Sequence, residues 1–316
     1  MEGGTQERFE EQACSPSLVG GLQQQAIYLS ASNLVLSLTA FLGNSLILTA
    51  LHKESSLHPP SKLLFRCLVT TDLLVGLVSQ PLFSTHWMCV VYEQWSLCRL
   101  AFDAFSMTSY ALCSVSLFTM TAISMDRLLA LLLGLRYRQI VTLKRTYIIV
   151  ATIWVVSGVA ALCEPLDGRI TDWYGTMITL SCSMMTIASY TKIFRTLSRH
   201  QAQVQDHFQQ QPSQPNALNV AQYRKAVSST LWVQLALVVC YVPFSIVEVV
   251  MTYSKTYSSN FVVSWGIAVA LIYCNSTLNP FLYCWKSSEA DNQTSTLPPM
   301  ELDSSRVQHS YQHILR

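Results

Sequence analysis

Seven stretches of the chain, at about 27–51, 63–86, 97–130, 147–163, 172–197, 226–253 and 261–285, are long apolar runs with few charges. Roughly 20 apolar residues in a helix cross the hydrocarbon of a bilayer. No water is present there to satisfy an exposed peptide group, so a spanning segment closes its hydrogen bonds internally, and runs of this length exceed barrel strands. The expected fold is an all-α membrane protein, a bundle of seven transmembrane helices. Only 12% of the residues are charged, about half the ~25% of a soluble domain. Spans and loops use most of the 316 residues. The chain then divides into a 1–26 tail, a 27–285 membrane domain and a 286–316 tail, with no room for a soluble catalytic domain.

Lysine and arginine orient the bundle. One set of loops and span ends carries Lys53, Lys62, Arg66, Arg136, Arg138, Lys144, Arg145, Lys192, Arg195, Arg199, Arg224, Lys225 and Lys286, and the opposite face only Arg8, Arg99, Arg169 and Lys255. The positive-inside rule puts the N-terminus outside and the C-terminus in the cytoplasm. The first tail is acidic (Glu2, Glu7, Glu10, Glu11) and lacks the apolar core of a cleaved signal, so the first span is expected to serve as an uncleaved signal anchor. The Gln-rich stretch 198–225, with Pro212 and Pro215, reads as a flexible cytoplasmic linker, and the Ser/Thr-rich 286–316 tail as disordered. Cys67, Cys113, Cys163, Cys182, Cys240, Cys274 and Cys284 lie within spans as small apolar thiols. Cys14, Cys89 and Cys98 gather at the outer face, where Cys98 can pair with Cys89, with Cys14 or with neither. No cysteine or histidine spacing suggests zinc.

The informative residues are those a bilayer excludes. Asp126 and Arg127 stand together where the third run leaves the hydrocarbon. A charge at membrane depth costs about 2.5–3.5 kcal/mol on insertion scales, so it needs a partner or a task. Taken alone, the pair reads equally well as mutual neutralisation with Arg127 snorkelling to the headgroups. Asp72 lies in mid-span, with Asn44, Ser116 and the Asn275-Ser276-Thr277-Leu278-Asn279 stretch at similar depth. Such a set of oxygens and amides suits a small cation or a proton-linked network, and its plainer reading is a set of interhelical hydrogen bonds of about 0.6 kcal/mol each. Pro243 and Pro280 remove helix bonds in the last two spans and put kinks there.

These residues resemble the rhodopsin-like (class A) G-protein-coupled receptors. The resemblance runs over 27–285 and rests on Gly43-Asn44, Leu68 and Asp72, Asp126-Arg127, Trp154, Tyr190, Cys240-Tyr241-Val242-Pro243, and Asn279-Pro280-Phe281-Leu282-Tyr283. It implies a receptor in the plasma membrane that passes binding of an extracellular ligand to a heterotrimeric G protein by outward movement of the sixth helix. Asp126, Arg127, Tyr190, Tyr241, Pro243, Asn279, Pro280 and Tyr283 would form the switch. Asp72, Ser116, Asn275 and Asn279, supported by Asn44, would hold an allosteric sodium ion, the one cofactor implied. Arrestin and a receptor kinase would act through the Ser/Thr tail, and no nucleic acid is implied.

Several positions depart from the family pattern. Leu128 follows Asp126-Arg127 where tyrosine is usual, Tyr241 replaces tryptophan, Cys182 replaces the proline of the fifth span, and Phe102 stands where the third span usually has its disulfide cysteine. Ser109 replaces the aspartate of amine receptors and Tyr273 the retinal lysine of opsins, so neither a typical biogenic amine nor retinal is expected. By position, the ligand candidates are Ser109, Tyr110, Cys113, Tyr241, Phe244, Glu248, Trp265 and Tyr273, each aromatic being equally at home in ordinary packing. Glu248 suits a cationic ligand group or a solvated rim. The missing proline and missing loop cysteine resemble the melanocortin, lipid and adenosine receptor branch. A transporter or ion channel using Asp72 as its cation site is the alternative, and it expects internal repeats that the chain lacks. No constellation of His, Asp and Glu at one face suggests an enzyme.

Overall fold

The computed structural model describes residues 9–53, 58–163, 168–208, 238–251 and 257–294. All the regular structure among them is helical: α1 (Phe9–Ala13), α2 (Pro16–Val19), α3 (Gln23–Lys53), α4 (Pro59–Leu74), α5 (Gln80–Val91), α6 (Trp95–Leu133), α7 (Tyr137–Ile140), α8 (Leu143–Cys163), α9 (Gly168–Phe208), α10 (Val238–Met251) and α11 (Ser259–Thr294). Among the described residues five stretches are long and apolar enough to cross a membrane: α3, α4 with α5, α6, α8, and α11 as far as Pro280. Helix α9 covers the fifth run, and α10 is the described part of the sixth.

The surface is inverted relative to a water-soluble fold. Helix α3 exposes Ile27, Leu34, Val35, Leu38, Leu42 and Leu46 and buries Ser30, Asn33, Ser37 and Asn44. Helix α8 exposes Ile148, Val155, Val159 and Leu162, and Trp154 also lies on its outer side. Such surfaces are stable against hydrocarbon, where apolar side chains need no cover and polar ones must find partners inside. Helix α6 is the centre, packed against α4, α5, α8 and α9. Its 39 residues contain no glycine or proline and make a rod about 60 Å long at 1.5 Å per residue. Gly134 ends it with φ +50, a left-handed conformation that suits a residue without Cβ.

Two prolines break helices, and α3 repairs both. Pro81 cannot donate an amide proton, and the turn before it widens into a π-helix over Val75–Ser79, where the Gln80 amide bonds the Val75 carbonyl. The Gly76 carbonyl, five residues before Pro81, accepts from Ser37 Oγ at 2.6 Å instead. In α11, Pro280 leaves the Ser276 carbonyl without its helix donor, and Asn44 Nδ2 supplies one at 3.0 Å. Gly43 permits this approach, because a Cβ there would fall 2.6 Å from Pro280 Cγ.

The structure corrects the sequence-based boundaries in three places. Helix α9 continues to Phe208, so 198–208, expected as flexible linker, is helical; glutamine is a good helix former. The rest of that linker, 209–225, lies outside the described residues, as does 226–237 of the sixth run. Helix α11 continues through 286–294, which the sequence assigned to a disordered tail. The first tail enters the core: Phe9, Ala13, Cys14, Val19 and Leu22 are buried. Of the alternatives for Cys98, the structure forms the bond to Cys14, with Cα atoms 5.8 Å apart, while Cys89 stays a buried thiol.

Candidate functional site

Three clusters of buried polar groups lie along α6. At its C-terminal end Asp126 is buried and Arg127 is half-exposed, at 4% and 38%. Ser61, in the first turn of α4, donates to Asp126 Oδ2 at 2.8 Å, and the Tyr137 hydroxyl of α7 donates to Oδ1 at 2.5 Å. The turn at Gly134 brings α7 back to this carboxylate. Burial and the adjacent carboxylate push the Tyr137 hydroxyl up to about 12, so it remains a donor at neutral pH. Arg127 approaches Asp126 only to 3.9 Å and lies 5.5 Å over the Phe65 ring. The carboxylate is therefore satisfied by two hydroxyls, and the guanidinium is held weakly. Tyr190, buried against Leu128 and Ile193, accepts from Ser124 Oγ at 3.4 Å, one turn before Arg127. The side chain of Tyr283 lies outside the described residues.

In mid-bundle Asp72 is fully buried and accepts three hydrogen bonds. Ser116 and Ser276 donate to Oδ1 at 3.1 and 2.8 Å, and Asn279 Nδ2 donates to Oδ2 at 2.6 Å. Asn275, nominated from the sequence, instead directs its amide to Met120 Sδ at 3.4 Å, and Ser276 takes its place at the carboxylate. Residues 275 and 276 lie four and three positions before Asn279, so helical periodicity puts both on its face and could not choose between them. The Asp72 carboxylate and the two serine hydroxyls are the oxygen donors a hard cation accepts. Asn44 Oδ1 is buried and has no partner among the described residues. The donor set fits a small cation, with Ser276 in place of Asn275.

Toward the other end, Ser109 and Tyr273 share a hydroxyl–hydroxyl bond of 2.5 Å. Glu248 is buried and accepts from Tyr110 at 3.0 Å and from Thr176 at 3.3 Å, so it is an interior carboxylate and no solvated rim charge. Cys113 and Phe244 bridge the outer apolar cluster, which contains Trp265 and Tyr273, and the inner one, which contains Tyr241 and Cys240. Pro243 lies between Tyr241 and Phe244 on α10. Ser109, Cys113, Tyr241, Phe244, Trp265 and Tyr273 of the nominated ligand residues are thus linked, with Phe83, Phe102 and Phe105 added to them, while Tyr110 and Glu248 pair with each other. Phe102 stacks on Trp265 at 5.6 Å. A separate groove of about 760 Å³ between α6, α8 and α9, lined by Phe118, Met125, Ile149, Trp173 and Met185 among others, contains none of these residues.

Sequence reasoning missed Ser61, Tyr137 and Thr176, whose hydroxyls complete carboxylate sites, and Phe9. Hydroxyls near membrane faces carry no periodic signal. The one available clue for Tyr137 was Gly134, a helix stop that folds the following turn back.

The chain matches the family model for the 7 transmembrane receptor (rhodopsin family) over residues 43–172 and 169–283. It is similar to trace amine-associated receptor 13c of Danio rerio, with 26% identity covering 90% of this chain and 91% of that receptor. It is also similar to melanocortin receptor 4 of Danio rerio, with 23% identity covering 85% and 83%. Muscarinic acetylcholine receptor M3 of Bos taurus is 28% identical over 45% of this chain and 24% of that receptor. With motifs, buried carboxylates and family model agreeing, the chain belongs to the rhodopsin family of receptors: it is a multi-pass membrane receptor, not an enzyme, that couples an extracellular ligand to G proteins.

Proposed function

We propose that the protein works at the plasma membrane as a seven-span receptor with its N-terminus outside, its C-terminus in the cytoplasm and Arg127 as the releasable element of its switch. The observation that carries this reading is the division of labour at Asp126. Ser61 and Tyr137 hold the carboxylate in the resting arrangement, so Arg127 is restrained only weakly by it. In the resting state α10 is closed. Outward movement of α10 about Pro243 opens the end where Arg127 stands, and Tyr190 turns toward the guanidinium. Tyr241, buried between the ligand cluster and the core, transmits the change. A sodium ion on Asp72, Ser116 and Ser276, with Asn275 and Asn279 around it, favours the closed state. Arrestin and a receptor kinase read the Ser/Thr tail.

The ligand sits among Ser109, Tyr110, Cys113, Phe244, Trp265 and Tyr273. Relatives named for trace amines and for melanocortin differ in ligand class, and Ser109 offers no carboxylate to a typical biogenic amine. Glu248 is the buried carboxylate that would take a cationic group. An agonist shifts the equilibrium only through its difference in affinity for the two states, commonly about 1–3 kcal/mol. The test is a ligand screen with second-messenger readouts, followed by Arg127→Ala. The variant should reach the cell surface and lose stimulated nucleotide exchange, and normal signalling from it would remove Arg127 from the switch.

A further inference from the structure

The outer end of the bundle is filled by the chain's own first tail. Helix α1 has only five residues, too few to persist alone, since an isolated helix of fewer than about 12 residues is marginal in water. It is held at both ends. The ring of Phe9 meets Tyr257, Trp265, Phe261 and Phe102 edge-on, with centroids at 5.0, 5.3, 6.1 and 6.4 Å. Five residues on, Cys14 is bonded to Cys98 in the first turn of α6.

We propose that this aromatic cage is the subsite in which an extracellular ligand places an aromatic ring, and that Phe9 is its resident intramolecular occupant, a tethered plug that favours the resting receptor. The proposal rests on the receptor reading above, with the tail outside. The cage is continuous with the ligand cluster through ring contacts: Trp265 meets Phe83 at 6.0 Å, Phe83 meets Tyr273 at 5.7 Å, and the Tyr273 hydroxyl bonds Ser109. Ser276, a donor to Asp72, lies one turn beyond Tyr273 on α11. A shift of Trp265 when the cage changes occupant is therefore delivered to the carboxylate at mid-bundle. The plugged cage coexists with an Asp126 held by Ser61 and Tyr137, the arrangement assigned to rest. The disulfide keeps the effective concentration of Phe9 high, while the shortness of α1 keeps it displaceable by a ligand.

The experiment uses the full-length receptor in lipid nanodiscs with a panel of heterotrimeric G proteins and reads basal nucleotide exchange. Phe9→Ala should raise it about fivefold or more, the low end of ordinary coupling, and Phe9→Leu, which refills the cage in part, should raise it by less. The acetylated peptide of residues 7–13, added to Phe9→Ala, should bring exchange back down, and Cys14→Ser should raise it by less than Phe9→Ala does. Asp126→Asn runs in parallel. A rise in Asp126→Asn with none in Phe9→Ala overturns the plug and leaves the receptor reading intact; no exchange in any variant overturns both. Lower thermal stability of Phe9→Ala with unchanged exchange makes the segment a structural staple and overturns the proposal, as does a fall in basal exchange.

Discussion

Replacing Tyr137 with phenylalanine removes one hydroxyl and nothing else from the Asp126 site. The lost bond is short and ends on a charged acceptor, a class that contributes about 1.5–3 kcal/mol. Tyr137 is half-buried, which places it at the low end, about 1.5 kcal/mol or tenfold in an equilibrium. An opposing effect exists, because a freed Oδ1 can attract Arg127 and hold it more tightly. Arg127 is half-exposed, and pairs of that kind contribute about 0–1 kcal/mol, so the loss dominates. Basal nucleotide exchange by Tyr137→Phe receptor in nanodiscs should therefore rise up to about tenfold. Ser61→Ala should do the same, and the double variant should give less than the product, because Ser61 Oγ and the Tyr137 hydroxyl also lie 3.2 Å apart and share one network. Titration of Tyr137 does not intrude. With its pKa raised from the usual value near 10 to about 12, the folded state keeps a proton the unfolded state has lost. Stability from this group thus falls as pH rises through that window, far above assay pH. A lower melting temperature with unchanged basal exchange would refute the reasoning, since a bond made equally in both states shifts nothing between them.

Two further predictions follow from the core. Asn44→Ala should destabilise the detergent-solubilised receptor by about 1–3 kcal/mol, the cost of an unsatisfied buried carbonyl at Ser276; in a Pro280→Ala background, where residue 280 regains an amide proton for that carbonyl, the same change should cost about 1 kcal/mol less, and strict additivity in the unfolding cycle would show that Asn44 does not cap Pro280. Replacing choline with sodium at constant ionic strength should lower basal exchange in wild type but not in Asp72→Asn, and equal sodium sensitivity in both would exclude Asp72 as the cation site.

What was legible in the sequence follows from where lipid enforces a rule. The apolar runs, the interior polar set and the Asp126–Arg127 pair stand out because a charge or amide in hydrocarbon has few explanations. Ser116 and Asn279 both donate to the Asp72 carboxylate in the structure. The rule weakens at the membrane faces. There Ser61 and Tyr137 look like any surface hydroxyls, and only the folded chain shows that they close on Asp126. It says least about the first tail, where a lone Phe9 among glutamates carries no period and finds its place through the disulfide and four rings from distant elements. The choice of Ser276 over Asn275 turns on side-chain direction within one helical face, which composition does not encode.

The distribution of helix breaks assigns different work to the central helices. Helix α6 carries Ser109, Ser116, Ser124 and Asp126, contributes to three polar clusters, and has neither glycine nor proline over its length. It is a rigid reference. The breaks lie in the elements around it, at Pro81 and Pro280. A broken helix exposes a carbonyl that lipid cannot satisfy, so each break needs a donor from a neighbour. Helix α3 supplies Ser37 to the first and Asn44 to the second. Motif resemblance makes Asn44 an accessory to the sodium pocket, but its amide is committed to the Ala40 and Ser276 carbonyls and none of its bonds reaches Asp72. Its primary task is to keep the break at Pro280 intact. Because Ser276 gives its hydroxyl to Asp72 while its carbonyl is capped by Asn44, the geometry of that break sets the position of a ligand to the mid-bundle carboxylate. A cation held at Asp72 and bending of α11 would then be coupled through a single residue.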